Sequence, residues 1–241
     1  MSATTKLKAA CVQSYRRLPA GVRDFVRNNK ALNGLRERFF LGDSSLHDQY
    51  YSEAYYASCD DGKWAVESAP YFSEDIIKEL QPQDIIDVGC GLGEYIEAFQ
   101  KAGVKGHGVE LATEAFKKCV AKGLDVASVD LTNAKELPWQ ADVVYTIEVA
   151  EHLPASGAKN FVRLLTKAAR KHVVMTAARP GQPGLNHINC QPKSYWIGML
   201  AEEGFDIDQS MTDRWEAANR NRPVAPWFAE NLMVFRRRVT A

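Results

Sequence analysis

From residue 72 onwards, short apolar runs alternate with stretches in which apolar residues recur at helical spacing. The early runs begin about 20 residues apart, the repeat length of a strand followed by a helix. Such units build a parallel sheet that is covered by helices on both faces. The runs occupy residues 84–89, 105–110, 125–130, 141–147, 172–178, 204–210 and 231–237. We therefore predict an α/β domain over residues 72–241, with helices that include 72–80, 94–102 and 191–203.

The first 71 residues carry a different pattern and are predicted to form an N-terminal helical extension. Residues 5–40 have helical spacing and hold nine Lys or Arg residues against Asp24 and Glu37. Two interpretations fit this pattern: an amphipathic cap on the main domain, or a peripheral contact with anionic lipid or a partner through the basic face. The segment 47–64 is dense in tyrosine, which suits either the core or the lining of a pocket.

Composition narrows the class of protein. Apolar residues make up 46% of the chain and charged residues 25%, values typical of soluble globular proteins. The 30 basic residues balance 30 acidic ones, so the strongly basic footprint of a nucleic-acid-binding protein is absent. The five cysteines form no C-x-x-C pair, which suits a reducing compartment. Because the sequence shows neither a membrane-spanning apolar run nor the apolar core of a signal peptide, we expect a cytoplasmic protein.

The segment Asp87–Gly93 lies between the first apolar run and a helical stretch. Glycines at Gly89, Gly91 and Gly93 let the backbone turn tightly and approach a ligand, and the start of the helix offers free N–H groups. The next three residues, EYI, supply no third glycine for the dinucleotide pattern G-x-G-x-x-G, and their glutamate would repel a pyrophosphate. S-adenosylmethionine (SAM) has a sulfonium and an amino-acid end but no phosphate, so it fits this loop better than NAD.

The sequence DIIDVGCGLGEY resembles the first motif of the class I SAM-dependent methyltransferases, in which Asp87 and the three glycines would lie at the cofactor. The resemblance implies a seven-stranded Rossmann-like sheet. It also implies that Glu110, at the end of the second run, accepts hydrogen bonds from both ribose hydroxyls, a task for which a carboxylate has two acceptor oxygens. Asp130 resembles the family's adenine-side acid, with Leu131 packing on the ring. Alternatively, Glu110 and Asp130 only cap the ends of strands.

A second cluster of polar residues follows the fourth run. Glu148, Glu151 and His152 are spaced so that a helical turn would place them on one face, and the segment 178–192 after the fifth run supplies His187. The pattern E-x-x-E-H with a later histidine resembles the metal-dependent small-RNA 2′-O-methyltransferases and, in its first part, the ubiquinone-biosynthesis O-methyltransferases. This resemblance implies Mg²⁺ or Mn²⁺ held by these four residues. Without a metal, Glu148 would contact the cofactor, and His152 or His187 would be the general base beside Glu151.

These features favour a SAM-dependent O-methyltransferase that acts on a small acceptor, such as a sugar, a glycan or a catechol-like ring. The N-methyltransferase signature N/D-P-P-Y/F is missing after the fourth run, where the chain reads IEVA. The alternatives are RNA 2′-O-methylation, which the zero net charge weakens, and a SAM-binding protein that has lost catalysis. We read residues 214–228 as a long link that helps to shape the acceptor pocket.

Overall fold

The computed structural model describes residues 60–184 and 186–239, together with positions 14, 18, 19, 21, 22, 25, 26, 48 and 51. Most of the predicted basic extension over residues 5–40, and most of the tyrosine-rich segment 47–64, therefore lies outside the described residues. In the described part, all seven apolar runs form strands of one sheet. The strands are β1 (Asp84–Val88), β2 (Lys105–Glu110), β3 (Asp125–Ser128), β4 (Ala141–Ile147), β5 (Ala169–Thr176), β6 (Phe205–Ile207) and β7 (Met233–Arg237).

The sheet is doubly wound, with the strand order β3-β2-β1-β4-β5-β7-β6. Strands β1 to β5 pair in parallel, whereas β7 runs antiparallel to both β5 and β6. The chain moves outward from β1 to β2 and β3, then returns to place β4 on the other side of β1. Ligands of such sheets bind where this strand order reverses, outside the carboxyl ends of the strands. The predicted seven-stranded Rossmann-like architecture is confirmed.

Helices cover both faces of the sheet, as the alternation of core residues along the strands requires. Ile86 of β1 and Val144 of β4 point into one buried cluster, and their neighbours Ile85 and Val143 point into the other. The helices are α1 (Asp60–Leu80), α2 (Glu94–Lys101), α3 (Thr113–Ala121), α4 (Ala158–Ala168), α5 (Lys193–Glu202) and α6 (Gln209–Asn219). Helices α4 and α5 pack on the first face, while α1, α2 and α6 pack on the second. No helix in the described part of the chain is long and apolar enough to cross a membrane.

Several element boundaries differ from the predicted ranges, and those of α1 and β6 change the picture most. Helix α1 begins at Asp60 rather than at residue 72, so the domain boundary predicted at residue 71 falls inside a helix. The sixth strand ends at Ile207, because the Asp208 side chain accepts a hydrogen bond from the backbone N of Met211 (3.0 Å) and caps the start of α6. The first part of the link predicted over residues 214–228 is therefore helical.

Helix α1 is an integral part of the core. Phe72 is 4% exposed, and its ring lies edge to face with Tyr95 and Tyr145 at centroid distances of 5.4 and 5.2 Å. It also contacts Phe228, whose ring centroid is 5.4 Å away. An aromatic side chain buried among other rings leaves a cavity when it is truncated.

We predict that Phe72→Ala lowers the free energy of unfolding by about 3–5 kcal/mol, since the surrounding rings cannot collapse into the space. Val66→Ala in the same helix is the matched control, because Val66 is 60% exposed. The control should change stability by less than about 0.5 kcal/mol. Chemical denaturation of the full chain measures both values. Equal stability of the two variants would show that α1 does not belong to the core.

Candidate functional site

The glycine loop leaves β1 with three residues in the left-handed region of backbone conformation. Gly89, Gly91 and Gly93 have φ angles of 79°, 53° and 82°, which side chains other than glycine rarely allow. A Cβ atom at Gly89 would collide with Val149, and one at Gly93 would collide with Leu124. A Cβ atom at Gly91 would meet no atom of the described residues within 4 Å. The outer glycines thus allow close packing, whereas the side-chain direction of Gly91 points into open space.

The carboxylate of Glu110 ties this loop to the end of β2. Its Oε2 accepts a hydrogen bond from the backbone N of Gly91 at 2.9 Å. Its Oε1 accepts from the backbone N of Leu111 and of Ala112, both at 2.8 Å. Burial raises the pKa of Glu110, and the three backbone donors oppose that rise. A carboxylate has about four acceptor positions, so one remains for a hydroxyl of a ligand.

The other acids predicted at the cofactor lie at the same edge of the sheet. Asp87 is 2% exposed, and burial raises its pKa well above the usual range despite the nearby Tyr145 hydroxyl. Asp130 follows β3, and its Oδ1 accepts from the backbone N and the hydroxyl of Thr132 at 2.9 and 2.6 Å. Leu131 is buried in the core. Asp130 therefore caps its own turn, and its predicted role at the adenine side of the cofactor stays a prediction.

Glu148, the first residue after β4, adopts a left-handed backbone with φ of 52°. It consequently precedes the short 3₁₀ helix Ala150–His152 rather than sharing a helical face with Glu151 and His152, as the spacing predicted. Its carboxylate accepts hydrogen bonds from Gln182 Nε2 at 2.6 Å and from Asn231 Nδ2 at 3.1 Å. A non-glycine residue in this region stores strain, and such strain is concentrated at functional sites.

Glu151, His152 and His187 form a three-donor group, in which one possible ligand atom from each residue lies within 4.8 Å of the others. Glu148 is not a member of this group. The two imidazole rings lie edge to face with centroids 5.0 Å apart, and His187 Nε2 is 3.9 Å from Glu151 Oε1. Glu151 is fully buried, and neither of its side-chain oxygens has a hydrogen-bond partner among the described residues. A buried carboxyl in this condition is rare unless it serves a function.

Backbone contacts bring His187 to the group. The carbonyl oxygen of Glu151 accepts from the backbone N of Ile188 at 2.8 Å and of Asn189 at 3.0 Å, which docks the segment after β5 against the turn after β4. Gly184 packs against the His187 ring so closely that a Cβ atom there would overlap it. This local packing explains why a glycine stands at that position.

Electrostatics make the three-donor group receptive to positive charge. Burial raises the pKa of Glu151 well above its usual range, and the negative charge of Glu148 adds to the shift. A bound cation or an imidazolium beside Glu151 would stabilise its ionised form instead. The group can therefore hold a divalent cation or a proton, and both uses suit a reaction in which a hydroxyl loses its proton.

Four residues at this edge were not predicted as site residues. Gln182 and Asn231 donate hydrogen bonds to Glu148. Their positions close to the ends of the fifth and seventh apolar runs are the signal that could have revealed them. Asp48 bonds to Thr113 at the start of α3, and the Tyr51 ring contacts the His152 ring. The tyrosine-rich segment suggested a pocket lining, but no pattern in the sequence indicated these partners.

Comparison with known proteins shows which sequences and folds this chain resembles. The family model described as methionine biosynthesis protein MetW matches residues 74–156, a span that includes the glycine loop and the turn after β4. The ubiquinone biosynthesis O-methyltransferase of Paracidovorax citrulli is 26% identical over 141 residues, which cover 54% of this chain and 53% of that protein. The chain thus spans about half the length of the curated relatives it matches.

Solved structures of low sequence identity share the architecture. Magnesium protoporphyrin IX methyltransferase from Synechocystis PCC 6803 with bound S-adenosylhomocysteine (SAH) superposes with a TM-score of 0.60, at 14% identity, over 81% of this chain and 100% of that chain. The sugar N-methyltransferase KedS8 from Streptoalloteichus sp. ATCC 53650 also gives 0.60, at 14% identity, over 78% and 92%. These neighbours, like the curated relatives, are methyltransferases. This chain has the fold of the class I SAM-dependent methyltransferases.

Proposed function

We propose that this protein transfers the methyl group of SAM to a hydroxyl of a small acceptor, such as a sugar or a catechol-like ring. The observation that carries the proposal is the three-donor group of Glu151, His152 and His187 at the carboxyl ends of β4 and β5. This group adjoins the glycine loop, because Val149 of the same turn packs against Gly89. The relatedness to O-methyltransferases of ubiquinone biosynthesis supports the same class of acceptor group.

The residues around the glycine loop fit SAM. Among the described residues, nothing fills the side-chain direction of Gly91, so a ligand can approach the chain closely there. Glu110 keeps one acceptor position, which suits one ribose hydroxyl rather than the two that the resemblance implies. When bound, SAM would supply an electrophilic methyl group for transfer to a hydroxyl oxygen of the acceptor, with S-adenosylhomocysteine as the leaving group.

The three-donor group would manage the proton of the acceptor hydroxyl. A neutral imidazole accepts a proton near pH 7, so His152 or His187 can serve as the general base. The imidazolium that results would lie beside Glu151, whose buried carboxyl gains a partner for its negative charge. Holding the acceptor oxygen between these groups and the methyl group also lowers the barrier through orientation.

The same donors fit a divalent cation. Two imidazoles and one carboxylate match the preferences of Mn²⁺, Fe²⁺ or Zn²⁺ better than those of Mg²⁺, which favours oxygen ligands. Neither side-chain oxygen of Glu151 is hydrogen-bonded to a residue that the structure describes, which leaves both for coordination. A cation held here would lower the pKa of a coordinated hydroxyl and orient it towards the methyl group.

Turnover should depend on the three-donor group while SAM binding does not. We predict that Glu151→Gln and His187→Gln each lower kcat at least about 100-fold, the usual scale of general acid–base catalysis, and leave SAH affinity unchanged in calorimetry. His172→Gln is the control, because His172 lies within β5 towards the opposite end of the strand. The assay uses a panel of sugars, nucleotide sugars, catechols and short RNAs.

Chelation of divalent cations distinguishes a metal site from a general base at the three-donor group. Turnover that EDTA abolishes and Mn²⁺ or Mg²⁺ restores would assign a cation to Glu151, His152 and His187, whereas turnover indifferent to EDTA would leave His152 or His187 as the base. Full activity in Glu151→Gln or His187→Gln would remove that residue from the reaction centre. Methylation of RNA alone, weakening with salt, would replace the small acceptor with a nucleic acid.

Cofactor binding gives an independent prediction. Gly91→Ala should weaken SAH binding at least about tenfold, because the added methyl group occupies the open space beside the loop where the ligand would bind. Gly103→Ala is the matched control: its φ is 82°, a Cβ atom there meets no described residue within 4 Å, and it lies in the turn after α2. The control should lose similar stability yet bind SAH normally. Equal affinities of the two variants for SAH would contradict the assignment of the loop.

A further inference from the structure

Two residues of the N-terminal extension contact the main domain at the candidate site. Asp48 Oδ1 accepts a hydrogen bond from the backbone N of Thr113 at 2.8 Å, and its Oδ2 accepts from the Thr113 hydroxyl at 2.8 Å. The Tyr51 ring meets the His152 ring edge to face, with centroids 6.1 Å apart and an interplanar angle of 86°. Both contacts join residues far apart in the chain, so tertiary packing rather than local structure maintains them.

Asp48 continues the row of hydrogen bonds that Glu110 accepts from backbone N–H groups. Helix α3 begins at Thr113, and the preceding Ala112 has no side chain that could cap it. Glu110 holds the N–H groups of Leu111 and Ala112, and Asp48 holds the next one, that of Thr113. Two carboxylates thus order three consecutive N–H groups at the start of one helix, where negative charge is favoured.

The two contacts lie at the ends of two different strands of the sheet. Strands β2 and β4 lie on either side of β1, so their ends are separated by two strand spacings, about 10 Å. Asp48 contacts the residues after β2, and Tyr51 contacts a residue after β4. Positions three residues apart are separated by at most about 10 Å. The pair therefore links the two strand ends that flank the glycine loop.

We propose that Asp48 and Tyr51 are positioning residues of the methyl-transfer site. Asp48 fixes the start of α3. Because Glu110 accepts hydrogen bonds from the two preceding N–H groups, Asp48 thereby also fixes the orientation of Glu110, where the ribose of SAM would bind. Tyr51 orients the imidazole of His152. This inference rests on the proposed function. It gives the N-terminal extension the role of holding residues of the site in position.

The affinity of the full chain for SAH tests the role of Asp48 and needs no acceptor. Asp48→Ala should weaken SAH binding about five- to tenfold, the scale of a lost charged cap. Asp48→Asn, which keeps one acceptor for the Thr113 N–H, should recover part of the affinity. Asp213→Ala is the control, because Asp213 is an exposed acid of α6 that bonds only to Gln209 among the contacts described. In the double variant Asp48→Ala/Thr113→Ala, binding should be no weaker than in Asp48→Ala alone.

Two different failures are distinguishable in this measurement. No binding of SAH by the unmodified chain would overturn the proposed function itself. Normal binding by the unmodified chain and equal binding by Asp48→Ala would overturn only the positioning role of Asp48.

The ¹⁵N resonances of the His152 ring, which report its tautomer and hydrogen bonding, test the role of Tyr51. They are assigned by their loss in His152→Gln. Tyr51→Leu should shift them and lower kcat about tenfold while SAH affinity stays constant, and Tyr51→Phe should restore both properties because it keeps the ring. Unchanged His152 resonances in Tyr51→Leu would overturn the positioning role of Tyr51. A decrease of kcat in Tyr51→Phe as large as that in Tyr51→Leu would overturn it as well.

Discussion

The buried carboxylate of Glu110 ties the glycine loop after β1 to the chain after β2. Its oxygens accept hydrogen bonds from three backbone N–H groups, one in the glycine loop and two in the residues that lead into α3. A charge with 8% exposure would be unfavourable without such donors. Because the same side chain joins the loop after β1 to the chain after β2, the left-handed turns of the glycines are maintained by a contact outside the loop itself.

The position of the three-donor group follows from the topology of the sheet. Parallel strands end at one edge, so the residues after β4 and β5 meet there although they are far apart in sequence. Two backbone bonds to the carbonyl of Glu151 dock the segment that carries His187. Glu151 is fully buried, and neither of its side-chain oxygens has a hydrogen-bond partner in the described part of the chain. A buried carboxyl in this condition calls for an explanation, and the proposed role in methyl transfer supplies one.

Strain and negative charge accumulate at the turn after β4. Glu148 adopts a left-handed backbone, and its charge raises the pKa of the neighbouring Glu151 further. Neither feature stabilises the fold, but Gln182 and Asn231 compensate by donating hydrogen bonds to Glu148 from the segments after β5 and before β7. The turn is therefore stable only within the complete sheet, which agrees with the view that functional sites hold local strain at the expense of stability.

The sequence by itself determined the seven strands, the glycine loop and the residues at the strand ends, because these depend on hydrophobic periodicity and on local backbone requirements that short segments express. Only the tertiary structure decided which of those residues meet. Glu148 accepts a hydrogen bond from Asn231, 83 residues away, instead of joining the three-donor group, and Asp48 reaches Thr113 across 65 residues. Periodicity carries no information about such partners, since they are brought together by the order of strands and by packing, not by spacing along the chain.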